Sequence, residues 1–142
     1  MLILKCLRFA VLWGLCLTGS TMAAGGACSG FANPQGSAGL ERVKGLISEG
    51  RFAEAFERFD VSEDAKRRLA EGLEAVVSEE ALECITIKRS RQNPDFISEV
   101  FMTVGESGAL YWTVSGIVDG LAFRMISFTY TDEFEDIREL IY

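Results

Sequence analysis

Histidine is absent from all 142 residues. That one absence removes a histidine general base, Ser-His-Asp and Cys-His arrangements, and histidine-containing zinc sites from this polypeptide. Also missing are a phosphate-binding loop, the glycine fingerprint of dinucleotide binding, a cysteine cluster and an EF-hand loop. The residues offer no catalytic set, no metal site and no cofactor site. Basic residues are the minority charge, 14 Lys and Arg against 21 Asp and Glu. Nucleic-acid binding is therefore not expected, because counterion release requires clustered cations. The two basic runs, Lys66-Arg67-Arg68 and Lys88-Arg89 with Arg91, read as solvated positions on an acidic surface, with a small anion near Lys88 and Arg89 as the alternative.

What the chain does have is hydrophobic patterning. The stretch Ala109 to Thr131, ALYWTVSGIVDGLAFRMISFTYT, is two alternating apolar segments about Asp119-Gly120. An Asp-Gly loop favours a type I′ turn, which predicts Val118 opposite Leu121, Gly116 opposite Phe123, Val114 opposite Met125 and Trp112 opposite Ser127. One face, with Trp112, Val114, Phe123 and Met125, belongs on the core. The other mixes Tyr111, Arg124, Ile126 and Phe128, and is expected to be covered by another chain, another segment or a ligand, or else to be scattered surface aromatics.

Upstream, residues 1–24 read as an export signal: Lys5 and Arg8 precede the apolar run Phe9 to Leu17, and small residues follow at Thr21, Ala23 and Ala24. The run is too short to span a bilayer, so no membrane anchor is expected after processing, and the protein is placed in the periplasm or outside the cell. Residues 25–37 form a Gly/Ser/Asn-rich lead, and residues 38–142 fit one domain. Cys28 and Cys84 are the cysteines that remain, and in an oxidising compartment they are candidates for a disulfide worth roughly 4 kcal/mol on the chain-entropy argument.

Helical spacing of Leu40, Val43, Leu46 and Ile47 predicts a helix from Ala38 to Glu49, ended by Gly50. A second helix is expected from Phe52 to Phe59. A third runs from about Glu63 to Ser78, capped by Asp60 or Ser62, with a stripe of Ala65, Leu69, Leu73, Val76 and Val77. Its acidic positions Glu71, Glu74, Glu79 and Glu80 read as solvated surface. Leu82 to Lys88 is the first strand, the turn-rich RQNPD separates it from Phe96 to Val104, and GESG leads into the hairpin. Two registers stay open for Phe96–Val104: Val104 opposite Ala109, which puts Ile97, Glu99, Phe101 and Thr103 on the core face, or a bulged form that exchanges the faces. The tail DEFEDIRELIY predicts a short helix with Asp132 as its candidate cap, the alternatives being a prolonged last strand or a segment that docks on a partner.

The result is an α+β chain, N-terminal helices packed on a four-stranded antiparallel meander. From Leu40 to Ile137, and above all in SEGRFAEAFERFDVS followed by GALYWTVSGIVDGLAFRMISFTY, the chain resembles the α+β rolls of the nuclear transport factor two-like, or cystatin-like, superfamily. That resemblance implies a bent sheet wrapped on helices, a pocket in its concavity and dimerisation through the sheet. It carries over no catalytic residue, since fold alone does not assign function.

The candidate ligand-binding residues are Glu99, Tyr111, Trp112 and Arg124. Glu99, opposite Val114 in the unbulged register, would be a desolvated carboxylate suited to general acid or base work, or a rim residue if the strand is bulged. Arg124, cross-strand from Ser115, could hold a ligand or partner carboxylate, or lie on the surface over Ile126. Trp112 reads as a core anchor before a stacking platform. Three functions fit: a non-catalytic module for a small apolar or amphiphilic ligand or a protein, a pocket enzyme of isomerase or dehydratase type using a buried carboxylate, and an interaction protein that homodimerises through the sheet.

Overall fold

A computed structural model describes Cys28 and residues 37–77 and 80–142. The expected export signal, the lead apart from Cys28 and Ser37, and Glu79 lie outside the described residues. Three helices, α1 (Ala38–Ser48), α2 (Phe52–Ala55) and α3 (Glu63–Val76), precede four strands, β1 (Glu83–Asn93), β2 (Phe96–Gly105), β3 (Gly108–Asp119) and β4 (Ala122–Thr131). The strands pair in sequence order as an antiparallel meander, and α4 (Phe134–Ile141) follows. The arrangement is α+β.

Helix α1 begins where the Ser37 hydroxyl accepts from the Leu40 amide and ends at Gly50, whose φ of 71° suits glycine. It crosses the sheet. Near its start, a Cβ on Gly39 would lie 2.9 Å from the Leu121 carbonyl oxygen of the hairpin loop, and at its end the Ser48 carbonyl accepts from the Ala81 amide just before β1. Only glycine lets the helix sit this close to β4.

Helix α2 stops at Ala55, short of the expected Phe59, because the chain there turns to hydrogen-bond with the sheet. Phe59 bridges Met125, whose amide donates to the Arg58 carbonyl at 3.1 Å and whose carbonyl accepts from the Asp60 amide at 2.9 Å. Ser62, not Asp60, caps α3. That helix buries Ala70 and Leu73 with Leu69 and Val77 packed beside them, while Ala65 and Val76 are exposed. The stripe is narrower than the expected one because α3 rests chiefly on α2.

The β2–β3 register is the unbulged alternative. Val104 opposes Ala109 and Glu99 opposes Val114, so Ile97, Glu99, Phe101 and Thr103 face the helices. Strand β1 runs beyond Lys88 to Asn93, because the reversal is confined to Pro94-Asp95, where the Asn93 side chain accepts from the Asp95 and Phe96 amides at 2.9 and 2.8 Å.

The β3–β4 register differs from the expectation twice over. Asp119 pairs with Ala122, so the loop is Gly120-Leu121, and of these Gly120 alone has positive φ, 61°. A type I′ loop on Asp119-Gly120 would need Asp119 in the left-handed region, whereas a loop opening on Gly120 has the II′ pattern and needs it of glycine only. Val118 therefore opposes Phe123 and Gly116 opposes Met125. Beyond them the register slips again, Ser115 opposing Ser127 and leaving Ile126 unpaired. The bulge turns Phe128 and Tyr130 to the helix side, opposite Val114 and Trp112. Phe128 leaves the mixed face and packs on Phe56 at 4.8 Å and Trp112 at 5.9 Å between ring centroids.

The core lies between the helices and this face, centred on fully buried Trp112, Phe52, Phe56, Phe101 and Ile47. Helix α4 takes the opposite face. Its Phe134 meets the Tyr111 ring edge-on at 5.9 Å, Ile137 is buried, and the Ile141 carbonyl accepts from Lys88 of β1 at 3.1 Å. A cation beside the last carbonyls complements the helix dipole. At its start the Thr131 hydroxyl accepts from the Glu133 amide and donates to Asp136; the N-cap position is Glu133, so Asp132 is not the cap. Cys28 and Cys84 form a disulfide that ties the start of the described chain to β1. No described helix is long and apolar enough to cross a membrane.

Candidate functional site

The four residues proposed from sequence do not converge. Glu99 and Trp112 face the helices, whereas Tyr111 and Arg124 are on the other side of the sheet. Trp112 is a core anchor: its indole nitrogen donates to Thr103 at 2.8 Å and its ring neighbours Phe52, Phe101, Phe128 and Tyr130. Tyr111 is half-buried under α4. Arg124 opposes Ile117 rather than Ser115, a consequence of the shifted loop, and its exposed guanidinium pairs with Asp60 at 2.6 Å.

Glu99 heads a constellation that sequence reasoning missed. Its side chain is 0 % exposed, as is that of Lys44 on α1, and the two are directly ion-paired. Lys44 also donates to Thr86 at 2.8 Å and to Glu41 at 3.1 Å, which uses all three ammonium hydrogens. The same ammonium lies 5.9 Å from the centre of the Phe101 ring. Arg89 closes the circuit, its Nε bonded to the second oxygen of Glu99 and its terminal nitrogen to Glu41 at 2.6 Å. Burial lowers the Arg89 pKa, but the hydrogen bond and charge of Glu99, with those of Glu41, outweigh it and hold the guanidinium above its ordinary range.

Two acids and two bases thus neutralise one another between α1 and the β1–β2 pair. Both oxygens of Glu99 are engaged, so its lone pairs serve structure rather than an incoming substrate. The signal was present in the sequence: Lys44 stands four residues after Leu40 and three before Ile47, inside the apolar stripe of α1. A cation in that stripe and a carboxylate on the core face of β2 satisfy each other when buried.

The basic runs singled out in the sequence are likewise occupied. Lys88 and Arg89 point to opposite faces of β1, one to α4 and the other to Glu99, and so do not form a joint anion site. Lys66, Arg67 and Arg68 pair with Glu63, Asp64 and Glu71 within α3.

Open space lies elsewhere. A cleft of about 300 Å³ separates α1 and α2 from the hairpin end, walled by Val43, Leu46, Ala55 and Phe123, with Arg42 and Arg58 at its sides. Ala122 and Arg58 also border a hollow of about 410 Å³ on the far side of the hairpin, with Ile117 and Val118. Neither reaches the Lys44–Glu99 pair. Comparison with protein-family models, with curated proteins and with solved structures yields no match for this chain.

Proposed function

We propose that this chain is a non-catalytic binding module that takes a small ligand between its helical layer and its sheet. The cleft between α1, α2 and the β3–β4 loop carries the reading: about 300 Å³ is the lower end of small-molecule sites, and apolar walls with a few charged groups are their usual make-up. Glu99, the one acidic residue among the described residues that is wholly buried, is saturated by Lys44, Thr86 and Arg89 away from that cleft, which weighs against the pocket-enzyme reading. The likeness in sequence to the nuclear transport factor two-like rolls points the same way, since those folds hold ligands between helices and sheet. The disulfide is compatible with an extracellular location, and the signal-like start of the chain extends the proposal to an exported protein.

Val43 of α1 walls the cleft, and a larger side chain there occupies it. The fluorescence of 1-anilinonaphthalene-8-sulfonate on titration into the oxidised protein should rise with a saturable curve, and Val43→Phe should remove that rise while the far-ultraviolet circular dichroism is unchanged. A wild-type protein that binds neither this probe nor any short-chain amphiphile overturns the proposal.

A further inference from the structure

We infer that the ligand is a small amphiphile with an anionic head group, its head at Arg58 and its apolar body in the cleft beneath. The inference rests on the cleft being the binding site and adds the chemistry of what enters it. Arg58 is exposed, and no carboxylate among the described residues pairs with it, in contrast to Arg51, Arg67, Arg68, Arg89, Arg124 and Arg138. It borders both hollows at the hairpin end, and because the far one also holds Asp95 and Asp119 an anion approaches it from the cleft.

The charged groups lining the cleft balance in number and differ in how they are engaged. Glu54, which lines it, is held by Arg51 through contacts of 2.9 and 2.6 Å, and the resulting lowered Glu54 pKa reflects that hydrogen bond first. Arg42 and Arg58 line the cleft with Glu54 and Glu57, two charges of each sign, but Glu54 is in an ion pair and neither arginine is in one among the described residues. The guanidinium donors, not the lining acids, are therefore what the cleft leaves free for a ligand. A guanidinium supplies paired, charge-assisted donors to a carboxylate, sulfate or phosphate head. Beneath it, Val43, Leu46, Ala55 and Phe123 present no polar side-chain atom, which suits an alkyl or ring body and not a sugar or peptide.

Calorimetric titration of the oxidised protein with decanoate, decanol and decyltrimethylammonium tests this, with phosphatidylglycerol vesicles as a fourth arm. Decanoate should bind and the ammonium should not; Arg58→Ala should weaken decanoate by about tenfold or more while leaving decanol unchanged. Glu57→Gln should tighten decanoate. If the vesicles respond in place of free decanoate, with the same dependence on Arg58, the anionic head is supplied at a lipid surface. Equal binding of decanol and decanoate, or equal loss of both in Arg58→Ala, overturns the head-group assignment while the cleft stands. Absence of binding in every arm, and to the fluorescent probe, overturns the cleft as well.

Discussion

Removing one partner from the buried ionic quartet should cost far more than removing two that belong together. Glu99→Leu leaves Lys44 and Arg89 sharing Glu41, and Lys44 has no exposed surface through which to recruit water. Stranding a buried charge costs roughly 3–5 kcal/mol, and this variant should fall at the upper end, about 5 kcal/mol. Lys44→Met leaves Glu41 and Glu99 sharing Arg89. Here Arg89 still contacts both carboxylates, so the loss should be nearer 3 kcal/mol. The double variant Lys44→Met/Glu99→Leu keeps the Arg89–Glu41 pair at 2.6 Å and replaces the inner ion pair by apolar groups of similar length. It should lie within about 2 kcal/mol of the parent protein, because the desolvation of both charges is no longer needed.

Guanidinium unfolding followed by the emission of buried Trp112 gives all three values, with constant slope as the check that the variants unfold as the parent does. The decisive quantity is the coupling between the two sites, expected to be several kcal/mol in favour of the double variant. Losses that simply add, or a Glu99→Leu loss of no more than about 1 kcal/mol, would refute a closed, mutually neutralising network.

Other perturbations probe the scaffold. Replacing Cys28 and Cys84 by serine should lower stability by about 2–4 kcal/mol, measured by the same unfolding curves. Gly116→Ala should lose about 1–3 kcal/mol, since its Cβ would come within 2.6 Å of the Phe123 ring and meet the Arg124 carbonyl; a gain in melting temperature would contradict the close approach. Gly72→Ala, in the interior of α3 with nothing within 4 Å of the new methyl, should gain about 0.5–1 kcal/mol in the same melting experiment. A loss there would show that the exposed face of α3 is packed in solution.

The order of the elements was legible because periodicity and turn residues report locally. Leu40, Val43, Leu46 and Ile47 mark α1, and alternation marks β3 and β4. Register was legible only in part. Gly105 and Gly108 bracket a two-residue loop that accommodates the Val104–Ala109 pairing, yet nothing local requires the extra residue at Ile126. That bulge is enforced from outside the hairpin, where Phe128 completes the aromatic cluster of Phe56 and Trp112 while Phe59 and Asp60 hold Met125. The same limit explains the candidate site. Glu99 could be placed on the core face from spacing, but its partners Lys44 and Arg89 come from elements 55 and 10 residues away. A pattern search within one element sees each of them as an isolated polar interruption.

An open meander has two unprotected borders, and each could nucleate strand addition between molecules. The bridge at Met125 closes one of them. With its amide and carbonyl committed to Arg58 and Asp60, the middle of β4 cannot accept a second chain there, and the kink at Ile126 spoils the straight template on either side. At the opposite border, β1 is itself irregular at Thr86/Lys88 and again at Arg91/Asn93, with Lys88, Arg89 and Arg91 along its length. Both borders of the sheet are thus poor templates for the addition of a further strand, one because its backbone is already engaged and the other because it is irregular and charged.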